Sequence, residues 1–353
     1  MSKSVYVLGA GGIGCLVAAP LVDSFSVNFI VRNAGKRAYL AKNSNLFQFK
    51  QLFNNDKVLQ YHIHGAYSVE EIPDQTIDRI IVSVKTFDTV KALRPLLDKI
   101  GQSTKILLVQ NGMGVIDELY NELWPVVDKR PIFYQGVISH GVYQDLSEKD
   151  TYNYNHAGSA GMMICRLPRD FTNPGSIEFD GELEKADDFV KELVGSDYLN
   201  AQFFKYKDLL VYQVQKLMVN SCMNANTSIL DCINYELDTP MTRDLYREII
   251  SEAIAIYEKA FPVLKESELH DGILGVDELL RNTVKCGFVQ CGKNSTSMRQ
   301  DVLNLRDVEI DYINGYTVRL GEKVGLPATV NHAIELLVKI RLQIYRSRAG
   351  RKT

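Results

Sequence analysis

The hydrophobic pattern changes in kind along the chain. The first half carries short, nearly continuous apolar runs at residues 4–8, 27–31, 80–84 and 105–109. Runs of this length are typical of parallel strands that are buried on both faces. Beyond about residue 203 the apolar residues recur at helical spacing instead. The change predicts an α/β N-terminal domain over residues 1–202 and an all-α C-terminal domain over residues 203–353.

A glycine-rich turn follows the first predicted strand. Residues 4–8 lead directly into Gly9-Ala-Gly-Gly-Ile-Gly14, and an apolar helical pattern comes next. In such a turn the first glycine permits the tight bend, the second lets the backbone approach a pyrophosphate, and the third lets the helix pack closely. We therefore predict a Rossmann-type dinucleotide-binding domain, with cofactor-binding residues Gly9, Gly11, Gly12 and Gly14. A tight turn that binds nothing is the alternative.

The residue after the second predicted strand indicates which dinucleotide binds. Arg32 stands where NAD-binding folds usually carry an Asp or Glu for the ribose hydroxyl. A guanidinium keeps its charge and can engage two oxygens of a 2′-phosphate. Arg32 therefore favours NADP(H) over NAD(H). A solvent-exposed basic turn is the alternative.

Two further polar residues follow predicted strands. Lys85 comes directly after residues 80–84, and Asn111 comes shortly after residues 105–109. The carboxyl ends of parallel strands form the ligand-binding edge of this architecture, so both side chains are candidate cofactor contacts. An exposed loop lysine and a simple Asn-Gly turn remain the alternatives.

The helical half carries one polar stripe. Lys216, Asn220 and Asn224 are spaced by four residues, which places them on one face of a helix. Apolar neighbours such as Leu217 and Met218 indicate that this face is half-buried. A lysine there must find partners or lose its charge, so the stripe is a candidate active site. A structural lysine paired with Glu309 is the alternative.

Local signals predict several helix limits. Leu183–Val194 is predicted as a helix, and another begins at Phe203. Ser297 and Gln300 have the spacing of a capping box, so a helix is expected to start there and run through residue 314 towards Gly321. The basic segment from Arg346 is expected to fray as a solvated tail.

Other polar regions carry weaker signals. Residues 41–78 are polar and mixed, and they receive no functional account. His140 and His156 could serve in acid–base chemistry, but isolated histidines are more often structural. His62 and His64 have no apparent third ligand, so no metal site is predicted.

Composition and charge narrow the class of protein. Apolar residues make up 46% of the chain and charged residues 24%, which are ordinary values for a globular protein. The net charge of -3 argues against a nucleic-acid partner. No uncharged apolar run other than the glycine-interrupted one at the N-terminus nears the length of a membrane span. The dispersed cysteines lack zinc spacing and suit a reducing compartment, so we expect a cytoplasmic protein.

Taken together, these motifs resemble the ketopantoate reductase (2-dehydropantoate 2-reductase) family nearly end to end. The glycine turn alone is common to many folds. The lysine with spaced asparagines, followed by a serine and a glutamate, is far more specific. The matching residues of the helical half are Lys216, Asn220, Asn224, Asn234, Asn294, Ser297 and Glu309.

The resemblance implies a reaction and a role for each matching residue. The expected reaction is NADPH-dependent reduction of the 2-keto group of 2-dehydropantoate to pantoate, with Lys216 as general acid and Glu309 positioning the lysine or the substrate. The implied substrate-binding residues are Asn220, Asn224, Asn234 and Ser297. The implied cofactor-side residues are Arg32, Lys85 and Asn111.

Alternatives to this function stay open at the level of sequence. The substrate could be another small 2-oxo acid, because fold does not fix function. The chain could also be a scaffold or regulatory protein that kept the reductase fold. A homodimer is possible, since the predicted helical domain offers apolar faces that could pair.

Overall fold

The structure is a computed structural model that describes residues 3–73, 75–148, 151–172 and 181–351. The chain forms two compact units. The sheet unit contains the chain up to Gln110 and Ile116–Leu209, and the helical unit contains Asn111–Val115 and the chain from Leu210 onward. The predicted succession of an α/β domain and an all-α domain is thereby confirmed.

The sheet unit is built from two sheets. Its strands are β1 (Ser4–Leu8), β2 (Ser26–Ile30), β3 (Leu46–Gln51), β4 (Lys57–His62), β5 (Gly65–Tyr67), β6 (Arg79–Val82), β7 (Lys105–Leu108), β8 (Ile132–Ile138), β9 (Gly141–Tyr143), β10 (Asn153–Gly158), β11 (Met162–Arg166) and β12 (Ala201–Phe203). The main sheet has the order β12-β11-β8-β7-β6-β1-β2-β5, and the second sheet has the order β4-β3-β10-β9.

The middle of the main sheet is parallel and apolar. Strands β2, β1, β6, β7 and β8 pair in parallel, with Val5 opposite Val27 and Ile81 opposite Leu107. Their residues are almost all buried, as the continuous apolar runs predict. Because these strands run the same way, the residues that follow β1, β2, β6 and β7 meet at one edge.

The second sheet explains the polar region at residues 41–78. Strands β3 and β4 pair antiparallel, and β10 pairs with β3 on the other side. Aromatic rings fasten this sheet to the main one: the ring centroid of Phe29 on β2 lies 5.6 Å from that of Phe47 and 5.9 Å from that of Tyr152. Strand β3 buries only alternate residues and no residue of β4 is buried, so the region is polar in sequence.

Helices of both units complete the fold. The structure places them at α1 (Gly12–Ala18), α2 (Ala34–Lys42), α3 (Thr89–Leu93), α4 (Val115–Glu122), α5 (Asp188–Gly195), α6 (Tyr206–Leu230), α7 (Pro240–Ala260), α8 (His270–Ile273), α9 (Val276–Val284), α10 (Ser297–Leu303), α11 (Asn314–Val324) and α12 (Thr329–Gly350). None of the helices in the described part of the chain has the length and apolarity needed to cross a membrane.

Four predicted helix limits are wrong. The helix predicted from Leu183 begins only at Asp188, after a separate 3₁₀ turn at Leu183–Lys185. Phe203 ends strand β12, and α6 begins only at Tyr206. The helix starting at Ser297 ends at Leu303, and a separate 3₁₀ turn at Glu309–Tyr312 precedes α11. The expected frayed tail is helical as far as Gly350. In the last case the apolar side chains Val338 and Leu342 keep α12 packed against the helical unit, which local charge does not reveal.

Candidate active site

Close packing requires glycine at two positions of the turn after β1. Gly9 has φ +94°, and a β-carbon there would lie 2.7 Å from Val84 Cγ1. A β-carbon at Gly14 would lie 2.5 Å from the Gly9 carbonyl oxygen. Both contacts exclude any larger residue, which explains the first and third glycines of the motif.

Gly11 and Gly12 have different explanations. A β-carbon at Gly11 would meet nothing within 4 Å, so protein packing does not require glycine there. Open space at this position suits the close approach of a ligand to the backbone. A β-carbon at Gly12 would lie 2.7 Å from Val142 Cγ1 on β9. Packing of α1 against the second sheet therefore accounts for Gly12, and its cofactor contact stays a prediction.

Arg32 is the exposed cation at the end of β2. Its guanidinium makes no hydrogen bond or ion pair with any residue that the structure describes. Arg37 differs, because its guanidinium donates to the Val31 carbonyl at 2.8 Å and lies 3.6 Å from Glu71. Arg37 thus stabilises the turn, while Arg32 remains available for an anionic ligand.

Lys85 and Asn111 follow neighbouring strands but belong to different surroundings. Lys85 is half-buried after β6, and its backbone carbonyl accepts the Asp88 N–H at 2.8 Å. Asn111 lies in the helical unit, where its Oδ1 accepts a hydrogen bond from Lys216 Nζ at 3.1 Å. The structure therefore brings Asn111 to the lysine of the polar stripe, a contact that sequence reasoning missed.

The lysine itself has an altered acidity. Burial lowers the pKa of Lys216 to about 8, because a charged ammonium is poorly solvated there, and the negative charge of Glu309 opposes part of that fall. Glu309 is only 6% exposed, at the start of the 3₁₀ turn. An amine with this pKa can give up a proton near neutral pH.

The turn that carries Glu309 is held against residues 111–114. The Met113 N–H donates to the Tyr312 carbonyl at 2.9 Å. Gly112 has φ +82°, and a β-carbon there would lie 2.5 Å from the same Tyr312 oxygen. The Asn-Gly pair therefore serves two purposes: Gly112 allows the close approach, and Asn111 reaches Lys216.

Asn220 and Asn224 extend the polar face of α6 beyond Lys216. Both are half-buried, and neither amide group makes a hydrogen bond with another described residue. Met223 lies between them in the sequence of α6, and the Tyr246 hydroxyl donates a hydrogen bond to its sulfur at 3.4 Å. The two amides are thus polar groups that a bound molecule could use.

Asn234 and Ser297 lie in contrasting environments. Asn234 is 5% exposed, and its Nδ2 donates to the Cys291 carbonyl at 2.9 Å. Ser297 is exposed as the first residue of α10. The predicted capping box at Ser297 is wrong, because Thr296 is the N-cap and accepts the Arg299 N–H at 3.3 Å. The sequence offers three successive hydroxyls there, those of Ser295, Thr296 and Ser297, and spacing alone does not identify the cap.

The two histidines of the sheet unit are bonded to each other. His140 Nδ1 lies 3.1 Å from His156 Nε2, and His140 Nε2 lies 3.0 Å from the Leu199 carbonyl oxygen. Burial lowers the pKa of His140, and burial together with His140 lowers that of His156 to about 4. Both rings are therefore neutral structural groups that join β8, β10 and the segment before β12.

Two family models match the chain. The model described as "Ketopantoate reductase PanE/ApbA" matches residues 5–168, and the one described as "Ketopantoate reductase PanE/ApbA C terminal" matches residues 208–341. Between them they cover most of both units.

Full-length relatives and a solved structure are also similar. A probable 2-dehydropantoate 2-reductase of Schizosaccharomyces pombe is 37% identical over 355 residues, covering 99% of each chain. A 2-dehydropantoate 2-reductase of Saccharomyces cerevisiae is 33% identical over 375 residues, covering 98% of this chain and 96% of that one. A D-mandelate dehydrogenase structure with NADH and anilino(oxo)acetate has a TM-score of 0.75 at 23% identity, covering 98% of this chain and 100% of that one, and it is similar in fold.

Proposed function

The chain belongs to the ketopantoate reductase family, and we propose that it catalyses the NADPH-dependent reduction of the 2-keto group of 2-dehydropantoate to pantoate. The observation that carries this proposal is the half-buried Lys216, whose Nζ is oriented by Asn111 and whose pKa lies at about 8. Reduction of a ketone leaves negative charge on oxygen, so it needs a proton donor or a cation at that atom. Lys216 can be both.

Lys216 is the proposed general acid. Its ammonium protonates the C2 oxygen as the bond to hydrogen forms at carbon. Glu309 raises the pKa of Lys216 against the effect of burial, which keeps the ammonium protonated at neutral pH. Asn111 accepts one ammonium hydrogen and so fixes its direction. We therefore assign Asn111 to orienting the lysine; its predicted contact with the cofactor stays a prediction.

The sheet unit has the residues that NADPH requires. When bound, NADPH supplies the hydride. The open space at Gly11 would admit the pyrophosphate, and the guanidinium of Arg32, which bonds to no side chain or backbone group of the described residues, suits the 2′-phosphate. Gly9 and Gly14 give the turn its shape, and Lys85 stands at the same edge of the sheet. These features fit the group, so the cofactor is NADP(H).

The substrate is a small 2-oxo acid anion held by the helical unit. Asn220 and Asn224 present amides that make no hydrogen bond with another described residue, and these amides would hold the hydroxyl and carbonyl side of 2-dehydropantoate. Ser297 is proposed to bind its carboxylate through the exposed hydroxyl. Asn234 already donates to Cys291, so its direct contact with substrate stays a prediction.

The test is a panel of 2-oxo acids with the purified protein and NADPH, followed by absorbance of the reduced nicotinamide. We expect 2-dehydropantoate to give the highest kcat/KM. The panel includes an aromatic 2-oxo acid, because a D-mandelate dehydrogenase has the same fold. A higher kcat/KM for another 2-oxo acid would mean that this acid, and not 2-dehydropantoate, is the preferred substrate. Tight NADPH binding without turnover of any acid would favour the scaffold alternative.

A homodimer is proposed from an exposed stripe on α12. Leu337, Ile340 and Ile344 are exposed, and their spacing of three and four residues forms an apolar seam that suits helix pairing. A second copy of the chain would bury this stripe by two-fold pairing. Light scattering should give a dimer for the wild type and a monomer for Ile340→Glu. A monomeric wild type at micromolar concentration would refute the pairing.

The proposed location is the cytoplasm. All six cysteines are free thiols, and Cys15, Cys165 and Cys222 are buried. Proteins that keep every cysteine reduced are typical of reducing compartments. Fluorescence of a tagged full-length chain would check this, and accumulation in an organelle would contradict it.

A further inference from the structure

A buried hydrogen bond joins the substrate helix α6 to the short helix α10. Thr227 Oγ1 lies 2.7 Å from Thr296 Oγ1. Thr227 is fully buried and Thr296 is 9% exposed. Burying a hydroxyl is unfavourable unless it is hydrogen-bonded, and Thr227 gives the Thr296 hydroxyl a buried partner.

The direction of each proton follows from the neighbouring groups. Thr227 Oγ1 lies 2.8 Å from the Met223 carbonyl oxygen, which can only accept, so the single proton of Thr227 goes there. Thr296 must then donate to Thr227. Thr296 Oγ1 in turn accepts the Arg299 N–H at 3.3 Å as the N-cap of α10. A directed chain of hydrogen bonds thus runs from the first turn of α10 to the α6 backbone beside Asn224.

This chain of bonds sets the position of Ser297. Ser297 directly follows Thr296 and is the exposed first residue of α10, so its position depends on how that end of the helix is held. A second tie, from Arg299 Nε to Asp231 Oδ1 at 3.0 Å, is partly exposed and is therefore weaker. The two threonines form the buried tie between α6 and α10.

We propose that Thr227 is a positioning residue for substrate binding: its bond to Thr296 fixes Ser297 relative to Asn224. The inference rests on the proposed function, in which these two residues hold different groups of the substrate. Loss of the bond weakens the hold of Ser297 on the carboxylate, a group whose charge does not change during the reaction. Such a loss weakens substrate binding and leaves the chemical step unchanged.

The test compares three full-length variants loaded with NADP⁺ or NADPH. Thr227→Val keeps the shape and removes the hydroxyl, Thr227→Ser keeps the hydroxyl, and Thr283→Val removes a buried hydroxyl that has no hydrogen-bond partner. Calorimetry with NADP⁺ gives the Kd of 2-dehydropantoate, and steady-state assays with NADPH give kcat. We expect Thr227→Val to raise Kd about fivefold to thirtyfold with kcat within about twofold. Thr227→Ser and Thr283→Val should match the wild type.

Two results would overturn the inference while the proposed function stands. One is an unchanged Kd in folded Thr227→Val, and the other is a Thr227→Ser variant as weak as Thr227→Val. If Thr227→Val does not fold, Thr296→Val breaks the same bond from the α10 side, and the same rise in Kd is required. A wild type that neither binds nor reduces 2-dehydropantoate would remove the proposed function itself, and the inference with it.

Discussion

The glycine turn after β1 and the polar face of α6 differ in what makes each residue necessary. In the glycine turn, backbone shape decides: Gly9 and Gly14 leave no room for a side chain, and Gly11 leaves room that no protein atom uses. On α6 the side chains decide, because burial lowers the pKa of Lys216 and Glu309 restores part of it. The glycine turn thus depends on the space around its backbone, and the polar face of α6 depends on the surroundings of its side chains.

This difference teaches where a substitution should act. A change in the sheet unit should reduce stability where the new side chain would clash with protein atoms. It should reduce cofactor affinity where the new side chain would fill space that a ligand needs. Changes at the lysine should affect the chemical step itself, since the proton donor acts only as charge develops on the substrate oxygen.

The largest effect is expected for Lys216→Ala. Without the proton donor, kcat should fall by about 10²- to 10⁴-fold, while the Kd for NADPH stays unchanged. Steady-state assays and NADPH titration measure the two quantities. The control is Lys259→Ala on α7, an exposed lysine whose loss should leave kcat as it is. A Lys216→Ala variant that keeps more than about a tenth of wild-type kcat would not fit a general acid.

A pair of glycine variants sharpens the comparison within the turn. Gly9→Ala should destabilise the protein by at least about 3 kcal/mol, because its β-carbon meets Val84 at a φ that disfavours side chains. Gly11→Ala should keep the wild-type melting temperature and raise the Kd for NADPH at least about tenfold, roughly 1.4 kcal/mol. Thermal melts and NADPH titration separate the two. Equal loss of stability in both variants would mean that Gly11 is also a packing residue.

Arg32→Ala tests the exposed cation. The Kd for NADPH should rise about tenfold to a hundredfold, the cost of one hydrogen-bonded charge pair, while the Kd for NADH stays constant. Arg37→Ala is the matched comparison: it loses the hydrogen bond to the Val31 carbonyl, so it should weaken both cofactors alike. If Arg32→Ala weakened the binding of NADPH and NADH equally, Arg32 would not be the residue that binds the 2′-phosphate.

Much of the fold could be predicted from sequence because its signals are local. The continuous apolar runs predict the central strands, and the spacing of Lys216, Asn220 and Asn224 predicts one face of one helix. The second sheet could not be found in this way. Strand β3 buries only alternate residues, β4 buries none, and β3 pairs with β10 across about a hundred residues of chain. Pairing at that range leaves no periodic signal in either strand alone.

The sequence supplies candidate site residues, whose roles stay predictions, but it does not give the contacts between them. Asn111 was assigned from its strand end, and the bond to Lys216 depends on the turn at Gly112 meeting Tyr312. Ser297 and Thr296 are equally good helix caps in sequence, and only the three-dimensional contact with Thr227 selects Thr296.

The pH dependence of kcat/KM for 2-dehydropantoate tests the central claim most directly. A general acid works in its protonated form, so activity should be full below the pKa of Lys216 and fall as pH rises through about 8. Because the charge of Glu309 raises that pKa, Glu309→Gln should shift the fall to lower pH. A profile that stays flat from about pH 7 to 10, or a fall that Glu309→Gln does not move, would contradict Lys216 as the proton donor.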